Sequence, residues 1–93
     1  MRTALAHRAA RDLRAIFAYI REENPAAAHP MLAAVVGAIE MLCEQPRLGR
    51  EVTAAGARRL AIPRTPYIAY YRIEGDEVLI LHVRDGRRKP YRA

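Results

Sequence analysis

Apolar residues recur at helical spacing through the first part of the chain. They stand at i, i+4, i+7, i+8 and i+11, and they are Ala9, Leu13, Ile16, Phe17 and Ile20. Charged side chains, mostly arginine, fill positions between them. The spacing predicts an amphipathic helix that ends near Glu23, and residues 2–6 before it are predicted to form a short edge strand.

A second helix is predicted to start at Asn24 and Pro25. Asparagine favours the N-cap, and proline at the first helical position has no hydrogen bond to lose. The predicted apolar face of this helix consists of Ala28, Leu32, Val35, Val36, Ile39, Leu42 and Cys43. The helix must end before Pro46. Because Pro30 removes a backbone hydrogen bond at a cost of about 3 kcal/mol, we expect a kink there or a separate first turn.

The period changes to alternation from Arg58 onward. A strand around Leu60 comes first, and the segments PYIAYYRI and VLILHV then flank the turn EGDE. This arrangement predicts a β-hairpin whose two loop residues are Gly75 and Asp76.

The same turn sets a register for the hairpin. In it Tyr71 faces Ile80, and Ala69 faces His82. Because side chains alternate, the face covered by the helices is predicted to hold Tyr67, Ala69, Tyr71, Ile73, Val78, Ile80 and His82. The other face is predicted to hold Ile68, Tyr70, Arg72, Leu79, Leu81 and Val83.

Together these elements predict an α+β fold in which a two-helix hairpin packs on a small antiparallel β-sheet, in the order β-α-α-β-β-β. Residues 1–93 are predicted to form one domain, since independent cores usually need roughly 50 to 200 residues. Both faces of the sheet are largely apolar, and one helical hairpin can cover only one of them. The other face is therefore expected to be partly exposed and to offer a surface to a partner.

Positive charge is concentrated in the second half of the chain. The formal net charge is +6, and residues 1–46 contain as many acids as arginines, so the whole excess lies in residues 47–93. Such asymmetry suggests an anionic partner, either nucleic acid or an acidic protein segment. The alternative is that the arginines only fill solvated faces.

The residues do not predict export or membrane insertion. The segment MRTALAHRAARDL lacks the apolar stretch of a signal peptide, and Cys43, the one cysteine, cannot form an internal disulfide. No apolar run approaches the ~20 residues that span a bilayer. We therefore expect a cytoplasmic protein and not a membrane protein.

Most kinds of catalytic and metal site lack support. The chain contains no serine, its glycines are scattered, and Cys43 lies on a helical apolar stripe, where a thiol is usually inert. The residues that could bind a metal show no paired spacing; they are His7, His29, His82 and Cys43. Neither a metal nor a cofactor is expected.

Arginines and tyrosines of the sheet remain as candidates for chemistry. They are Arg58, Arg59, Arg64, Arg72, Arg84, Arg87, Arg88, Tyr67, Tyr70, Tyr71 and Tyr91. Such side chains can bind phosphate, and they can supply the cations and the acid for RNA cleavage by a 2′-OH. The general base is missing, because the predicted register points His82 at the helices. Ordinary strand packing accounts for Tyr70 and Tyr71 equally well.

Three segments together resemble the RelE/ParE superfamily of bacterial type II toxins. They are ARDLRAIFAYIREENPAAA, LCEQPRLGR and RRLAIPRTPYIAYYRIEGDEVLILHVRDGRR, and the resemblance covers nearly the whole chain. It implies a helical hairpin on an antiparallel sheet with a short leading strand. It also implies a growth-inhibiting toxin held inactive in a hetero-oligomer by a co-expressed antitoxin, which would have a ribbon-helix-helix start and an acidic C-terminal tail.

The resemblance leaves two targets open. Members similar to RelE cut messenger RNA on the ribosome, and their functional residues match Arg59, Arg88 and Tyr91 here. Ile68 stands where those nucleases place a strand arginine, so the resemblance favours the ParE branch, which is associated with plasmid stabilization and inhibits DNA gyrase by protein contact. A third alternative is a non-toxic module that only binds.

The surface that would bind the target or the antitoxin is predicted on the sheet and at its C-terminal end. It consists of Arg59, Arg72, Leu79, Leu81, Arg87, Arg88, Lys89 and Tyr91. No catalytic residue is assigned outside the nuclease alternative.

Overall fold

The computed structural model describes residues 1–87, and within them it contains two helices and five strands. The helices are α1 (His7–Glu23) and α2 (Pro25–Glu44). The strands are β1 (Arg2–Leu5), β2 (Arg50–Glu51), β3 (Arg58–Ala61), β4 (Tyr67–Glu74) and β5 (Glu77–Asp85). The predicted α+β fold is confirmed, and the two-residue strand β2 is an addition to the predicted order.

The five strands lie in the order β1-β5-β4-β3-β2. β1 runs parallel to β5, whereas the other neighbouring strands are antiparallel. The sheet is therefore mixed and not wholly antiparallel as predicted. Alternation of polar and apolar residues in a strand as short as β1 does not indicate the direction of its neighbour.

The core lies between the helices and one face of the sheet. Its largest fully buried side chains are Tyr71, Leu42, Ile80 and Val78. The buried residues of α2 are Met31, Ala34, Val35, Ala38 and Leu42. The predicted face of α2 is wrong at Leu32 and Val36, which are both 45% exposed. Apolar residues surround most of this helix, so their spacing alone does not define the side that faces the core.

α2 is one continuous helix, and the predicted separation of its first turn at Pro30 does not occur. Pro30 is exposed in the second turn, where its missing N–H affects only a carbonyl of the first turn. By length and composition α2 could also cross a membrane, so the exclusion of a span on length is wrong. The same properties are typical of core helices in globular proteins, and one side of α2 is buried in the core here.

The hairpin of β4 and β5 follows the predicted register only near its turn. The pairs as far as Tyr71 are as predicted, but the next is Tyr70 with His82, which leaves Leu81 without a partner residue on β4. This β-bulge shifts the rest of β5 by one residue, and such a shift turns each side chain to the opposite face. Val83 therefore lies in the core and His82 on the outer face of the sheet, opposite to both predictions.

Candidate partner-binding surfaces

The outer face of the sheet, which is turned away from the helices, carries a row of polar side chains. Arg50 of β2 pairs with Arg59 of β3. Arg59 pairs in turn with Tyr70 of β4, and Tyr70 pairs with His82 of β5. Because Ile68, Tyr70 and His82 are buried, this part of the face is more closed than predicted.

Arg59 is the predicted site residue with the least usual surroundings. Its side chain is half-buried, and its Nε atom is buried without a hydrogen-bond partner among residues 1–87. Arg50, directly opposite, carries the same charge and is exposed. A buried unsatisfied donor costs roughly 1–3 kcal/mol, and like charges directly opposite on neighbouring strands destabilise the pair. An anion bound between these arginines would relieve the repulsion between them.

Two other predicted cations are already paired with carboxylates. Arg72 donates from Nε to Glu74 at 2.8 Å, and Arg87 donates from Nη2 to Asp85 at 2.7 Å. Because both arginines are accessible to solvent, these ion pairs contribute little to stability. Leu79 and Leu81 of β5, which are also predicted site residues, are half-buried. The predicted site residues that lie outside the described part of the chain are Arg88, Lys89 and Tyr91.

His82 is held by a carboxylate from α1. Its Nδ1 atom lies 2.6 Å from Oδ2 of Asp12, and the same oxygen accepts the backbone N–H of Val83 at 3.0 Å. Because a carboxylate only accepts hydrogen bonds, Nδ1 carries the proton. β1 pairs with β5 only as far as Ile80, so no strand within residues 1–87 accepts a hydrogen bond from Val83 on this edge of β5. The Asp12 carboxylate accepts it instead.

Tyr70 packs between neighbouring polar side chains of β5. Its ring stacks on the His82 imidazole with centroids 5.9 Å apart and planes at 16°. The guanidinium carbon of Arg84 lies 5.6 Å from the centre of the Tyr70 ring, and its Nε donates to the Tyr70 hydroxyl at 3.1 Å. With Tyr70 only 5% exposed, little of the ring is accessible for stacking on a nucleic-acid base.

The turn between α2 and β2 is fixed by side chains from the sheet. The Tyr71 hydroxyl accepts the backbone N–H of Gly49 at 2.7 Å and donates to the carbonyl of Pro46 at 2.8 Å. Arg58 donates from Nη1 to the carbonyl of Gly49 at 2.7 Å. Burial raises the pKa of Tyr71 above its ordinary value, although the Gly49 hydrogen bond and the Arg58 charge oppose this shift. These contacts position the exposed side chain of Leu48 just before β2.

A groove lies beside α1, bounded by the first half of α2 and the ends of β4 and β5. It consists of two adjoining cavities of about 410 and 430 Å³, which share Tyr19, Tyr67 and Arg87 as lining residues. Apolar residues that line the first cavity are Ile20, Ala27, Pro30, Met31, Ala34 and Pro66. Arg64 also lines it, with a φ of 65° that is uncommon for a residue other than glycine. An apolar groove with arginines beside it suits an amphipathic, acidic segment.

Two residues of these surfaces, Asp12 and Arg50, are not predicted from the sequence. Asp12 is on the polar side of α1 and contacts His82 across 70 residues of sequence, so no local pattern marks it. Arg50 belongs to the two-residue strand β2, and its one signal is its place at the end of the segment PRLGR. Within residues 1–87, no three histidine, cysteine, aspartate or glutamate side chains come together as a potential metal site.

Known proteins with similar sequences and structures give a consistent picture. The family model for the ParE toxin of the type II toxin-antitoxin system, parDE, matches residues 4–90. The protein named "Putative toxin Y4kP" from Sinorhizobium fredii is 39% identical over 77 residues, which are 81% of this chain and 80% of that protein. A solved structure described as "Chromosomal ParDE TA system from P. aeruginosa" has a TM-score of 0.78 and 27% identity, and the match covers 91% of this chain and 95% of that one.

Proposed function

Because the chain belongs to the ParE toxin family of type II toxin-antitoxin systems, we propose that it arrests bacterial growth through protein contact with DNA gyrase. The observation that carries this proposal is the family match over residues 4–90. The ParE branch, to which the sequence motifs are most similar, is the gyrase-directed branch of the superfamily. Gyrase acts on the chromosome, so the proposed site of action is the cytoplasm.

The outer face of the sheet supports contact over catalysis. Ile68 is 6% exposed near its centre and supplies no charge where nucleolytic relatives are expected to have an arginine. The half-buried Arg72 and the exposed Arg87 are paired with neighbouring carboxylates. A pocket that lacks a donor for transition-state charge loses about 2.7–4 kcal/mol of stabilisation, by analogy with oxyanion-hole deletions. These side chains are therefore better suited to binding than to phosphodiester cleavage.

The groove beside α1 supports a second partner, a cognate antitoxin that neutralises the toxin in a hetero-oligomer. Its lining is mainly apolar, and Arg64 supplies positive charge, while Glu23 also lines it and Arg87 is paired with Asp85. An acidic C-terminal tail with an apolar stripe, following a ribbon-helix-helix start, would match this groove in both respects. Filling it would also bury Tyr19, which is 61% exposed in the chain alone.

A supercoiling assay tests the proposed target. Purified toxin added to gyrase in micromolar excess is expected to inhibit supercoiling of relaxed plasmid, and the antitoxin is expected to restore it. Topoisomerase I serves as a control, because general binding of a basic protein to DNA would affect both enzymes. Unchanged gyrase activity at this excess would overturn the proposal.

One observation favours a second candidate function, a ribosome-dependent mRNA endoribonuclease. The β-bulge places His82, a residue able to transfer protons, on the same face as Arg59. Arg84 also lies opposite Ile68, so a cation stands one strand away from the position where a nuclease has its arginine. This candidate predicts that Arg59→Ala or Arg88→Ala abolishes growth arrest and transcript cleavage together. Growth arrest with intact transcripts rules it out.

The third candidate is a module that binds without toxicity. Induced expression of the chain in cells distinguishes it from the gyrase-directed toxin and from the endoribonuclease. Expression of the chain without its antitoxin is expected to stop colony formation. Normal colonies, with the protein accumulating in folded form, would support the non-toxic alternative and contradict both toxin mechanisms.

A further inference from the structure

We propose that Arg50 and Arg59 form a carboxylate-binding site through which this toxin holds an acidic patch on its target protein, with Leu48 as the apolar contact beside it. This inference rests on the proposed function, a toxin that acts by protein contact, and adds to it the surface and the chemistry of that contact.

The two arginines are placed as a receptor for an anion. They lie directly opposite each other in the two-residue ladder between β2 and β3. Glu51, the next residue, pairs with Arg58 and is turned to the other face, because successive side chains of a strand alternate. The like charges of Arg50 and Arg59 therefore share one face, where their repulsion destabilises the free chain.

Among the described residues, the Arg59 side chain is also unsatisfied at its buried Nε atom. Within residues 1–87 it has no hydrogen-bond acceptor, and a buried donor without an acceptor carries its full desolvation cost. A carboxylate can accept from a guanidinium through both oxygens, which gives shorter and stronger hydrogen bonds than neutral groups do. An incoming aspartate or glutamate would neutralise the pair, and it would accept from the buried Nε once the Arg59 side chain turns toward it.

The segment leading to Arg50 is held in place before binding. Tyr71 and Arg58 bind the backbone of Gly49 at 2.7 Å each, on its N–H and its carbonyl. Leu48 is 43% exposed on this fixed turn. A surface that is already ordered loses less conformational entropy on binding than a mobile one. An exposed leucine next to an arginine pair can therefore contribute most of its contact energy to affinity.

The neighbours of the pair favour a protein carboxylate over a nucleic-acid phosphate. Single-stranded nucleic acid is bound by cations interleaved with accessible rings, but Tyr70 beside Arg59 is only 5% exposed and stacks on His82. The apolar Leu48 lies two residues before Arg50 and is exposed. Arginine is enriched among the energetically important residues of protein interfaces, and the exposed Leu48 adds apolar area that a nucleic-acid phosphate would not use.

Arg50 and Leu48 are exposed and line neither cavity of the groove beside α1 that suits a peptide segment. We therefore assign the site to the folded target and not to the antitoxin tail. The two surfaces use different residues, so their contributions are separable by substitution.

The test uses Arg50→Glu and Leu48→Ala in the full-length chain. Both side chains are exposed, so the fold is expected to remain, and circular dichroism with a denaturation midpoint checks this. Arg14→Glu and Leu32→Ala are matched controls on the helices, since Leu32 is 45% and Leu48 43% exposed. Each variant is assayed for growth arrest, for affinity to purified gyrase and for affinity to the antitoxin.

Arg50→Glu is expected to weaken gyrase binding about 10-fold or more, because the charge reversal turns attraction to a carboxylate into repulsion. Leu48→Ala is expected to weaken it less, and neither should change antitoxin affinity by more than about twofold, because neither residue lines the groove assigned to the antitoxin. The two control variants should bind gyrase as the parent chain does. Growth arrest should decline in the same order as gyrase affinity.

Several results would overturn the inference. Unchanged gyrase affinity and growth arrest in Arg50→Glu exclude the site. Loss of antitoxin binding with retained gyrase binding assigns the surface to the antitoxin instead. Binding of a single-stranded oligonucleotide that depends on Arg50 and weakens steeply with salt identifies a phosphate site.

Failure of the proposed target gives a different result. If the parent chain does not bind gyrase but Arg50→Glu abolishes growth arrest and the control variants do not, the gyrase proposal is wrong and the site stands as the contact with another target. If the parent chain binds gyrase and Arg50→Glu binds equally well, the target stands and the site is wrong.

Discussion

The hydroxyl of Tyr71 accepts the backbone N–H of Gly49 at 2.7 Å, and this contact ties the central strand β4 to the turn before β2. The same hydroxyl donates to the carbonyl of Pro46 at 2.8 Å, so both of its hydrogen-bonding functions are used. The rest of the Tyr71 side chain is fully buried in the core. A core residue therefore sets the position of the turn that leads to Arg50.

Tyr71→Phe should destabilise the fold by about 1–3 kcal/mol, because it leaves the buried Gly49 N–H without an acceptor. Chemical denaturation at neutral pH measures this loss as a lower midpoint with an unchanged slope. Tyr19→Phe is the control, since Tyr19 is 61% exposed and its loss of a hydroxyl should be nearly neutral. Equal stability of Tyr71→Phe and the parent chain would show that the hydrogen bonds to the turn contribute nothing net.

Gly49→Ala should destabilise the chain, while Gly37→Ala should stabilise it. A Cβ atom at Gly49 would stand 2.6 Å from the Tyr71 hydroxyl oxygen and 2.8 Å from the carbonyl oxygen of Arg59, and the second contact is with backbone that cannot easily move. Overpacking of this kind typically costs about 1–3 kcal/mol. Gly37 lies in α2 with nothing within 4 Å of a Cβ, and glycine is disfavoured against alanine inside a helix by roughly 0.5–1 kcal/mol. Opposite shifts of the thermal midpoint are the expected result, and shifts of the same sign would contradict the packing at Gly49.

The stabilising effect of Tyr71 should decrease at alkaline pH. Burial raises the pKa of Tyr71 above its ordinary value of 10.0, so its stabilising contribution is complete below that value and is lost as pH rises through the raised pKa. The difference in unfolding free energy between the parent chain and Tyr71→Phe should therefore be constant from pH 7 to about 9 and smaller near pH 11. Denaturation series of both chains at these pH values measure it, and the subtraction cancels the titration of the other tyrosines. A difference that grows with pH would mean that the pKa is lowered.

The sequence predicts the fold where local chemistry decides it. Proline at the first position of α2 and glycine in the hairpin turn act through their own backbones, and both predictions agree with the structure. The register holds from Gly75 as far as Tyr71 and then fails. Leu81 lies within the apolar run VLIL. The bulged residue is of the same apolar type as its neighbours, so nothing in the sequence marks the shift. The error at His82 and Val83 follows from that single residue.

The candidate surfaces are also predictable only where local sequence decides which way a side chain points. Arg59 alternates with Arg58 and Leu60 on a recognisable strand, and the apolar Leu60 marks the face turned to the core, so the outward direction of Arg59 is predictable from sequence. Arg50 precedes no alternating run, and its direction depends on a two-residue pairing with β3. Contacts between distant parts of the chain, such as the one between Asp12 and His82, need the register that the bulge alters.

The carboxylate of Asp12 should stabilise the edge of β5 beyond Ile80, where β1 no longer pairs with it. Removal of this carboxylate tests its role. Asp12→Ala deprives the backbone N–H of Val83 and Nδ1 of His82 of their acceptor, and a destabilisation of roughly 1–3 kcal/mol is expected. Hydrogen exchange of the Val83 amide should become faster than that of other β5 amides, because its protection depends on this one side chain. Asp12→Asn keeps an acceptor oxygen and should cost less. Asp76→Ala is the control, since the Asp76 carboxylate is 79% exposed in an ion pair with Arg2 and its loss should be nearly neutral. If Asp12→Ala and Asp76→Ala have equal effects, and Val83 exchange is unchanged, the edge of β5 is closed by some other contact.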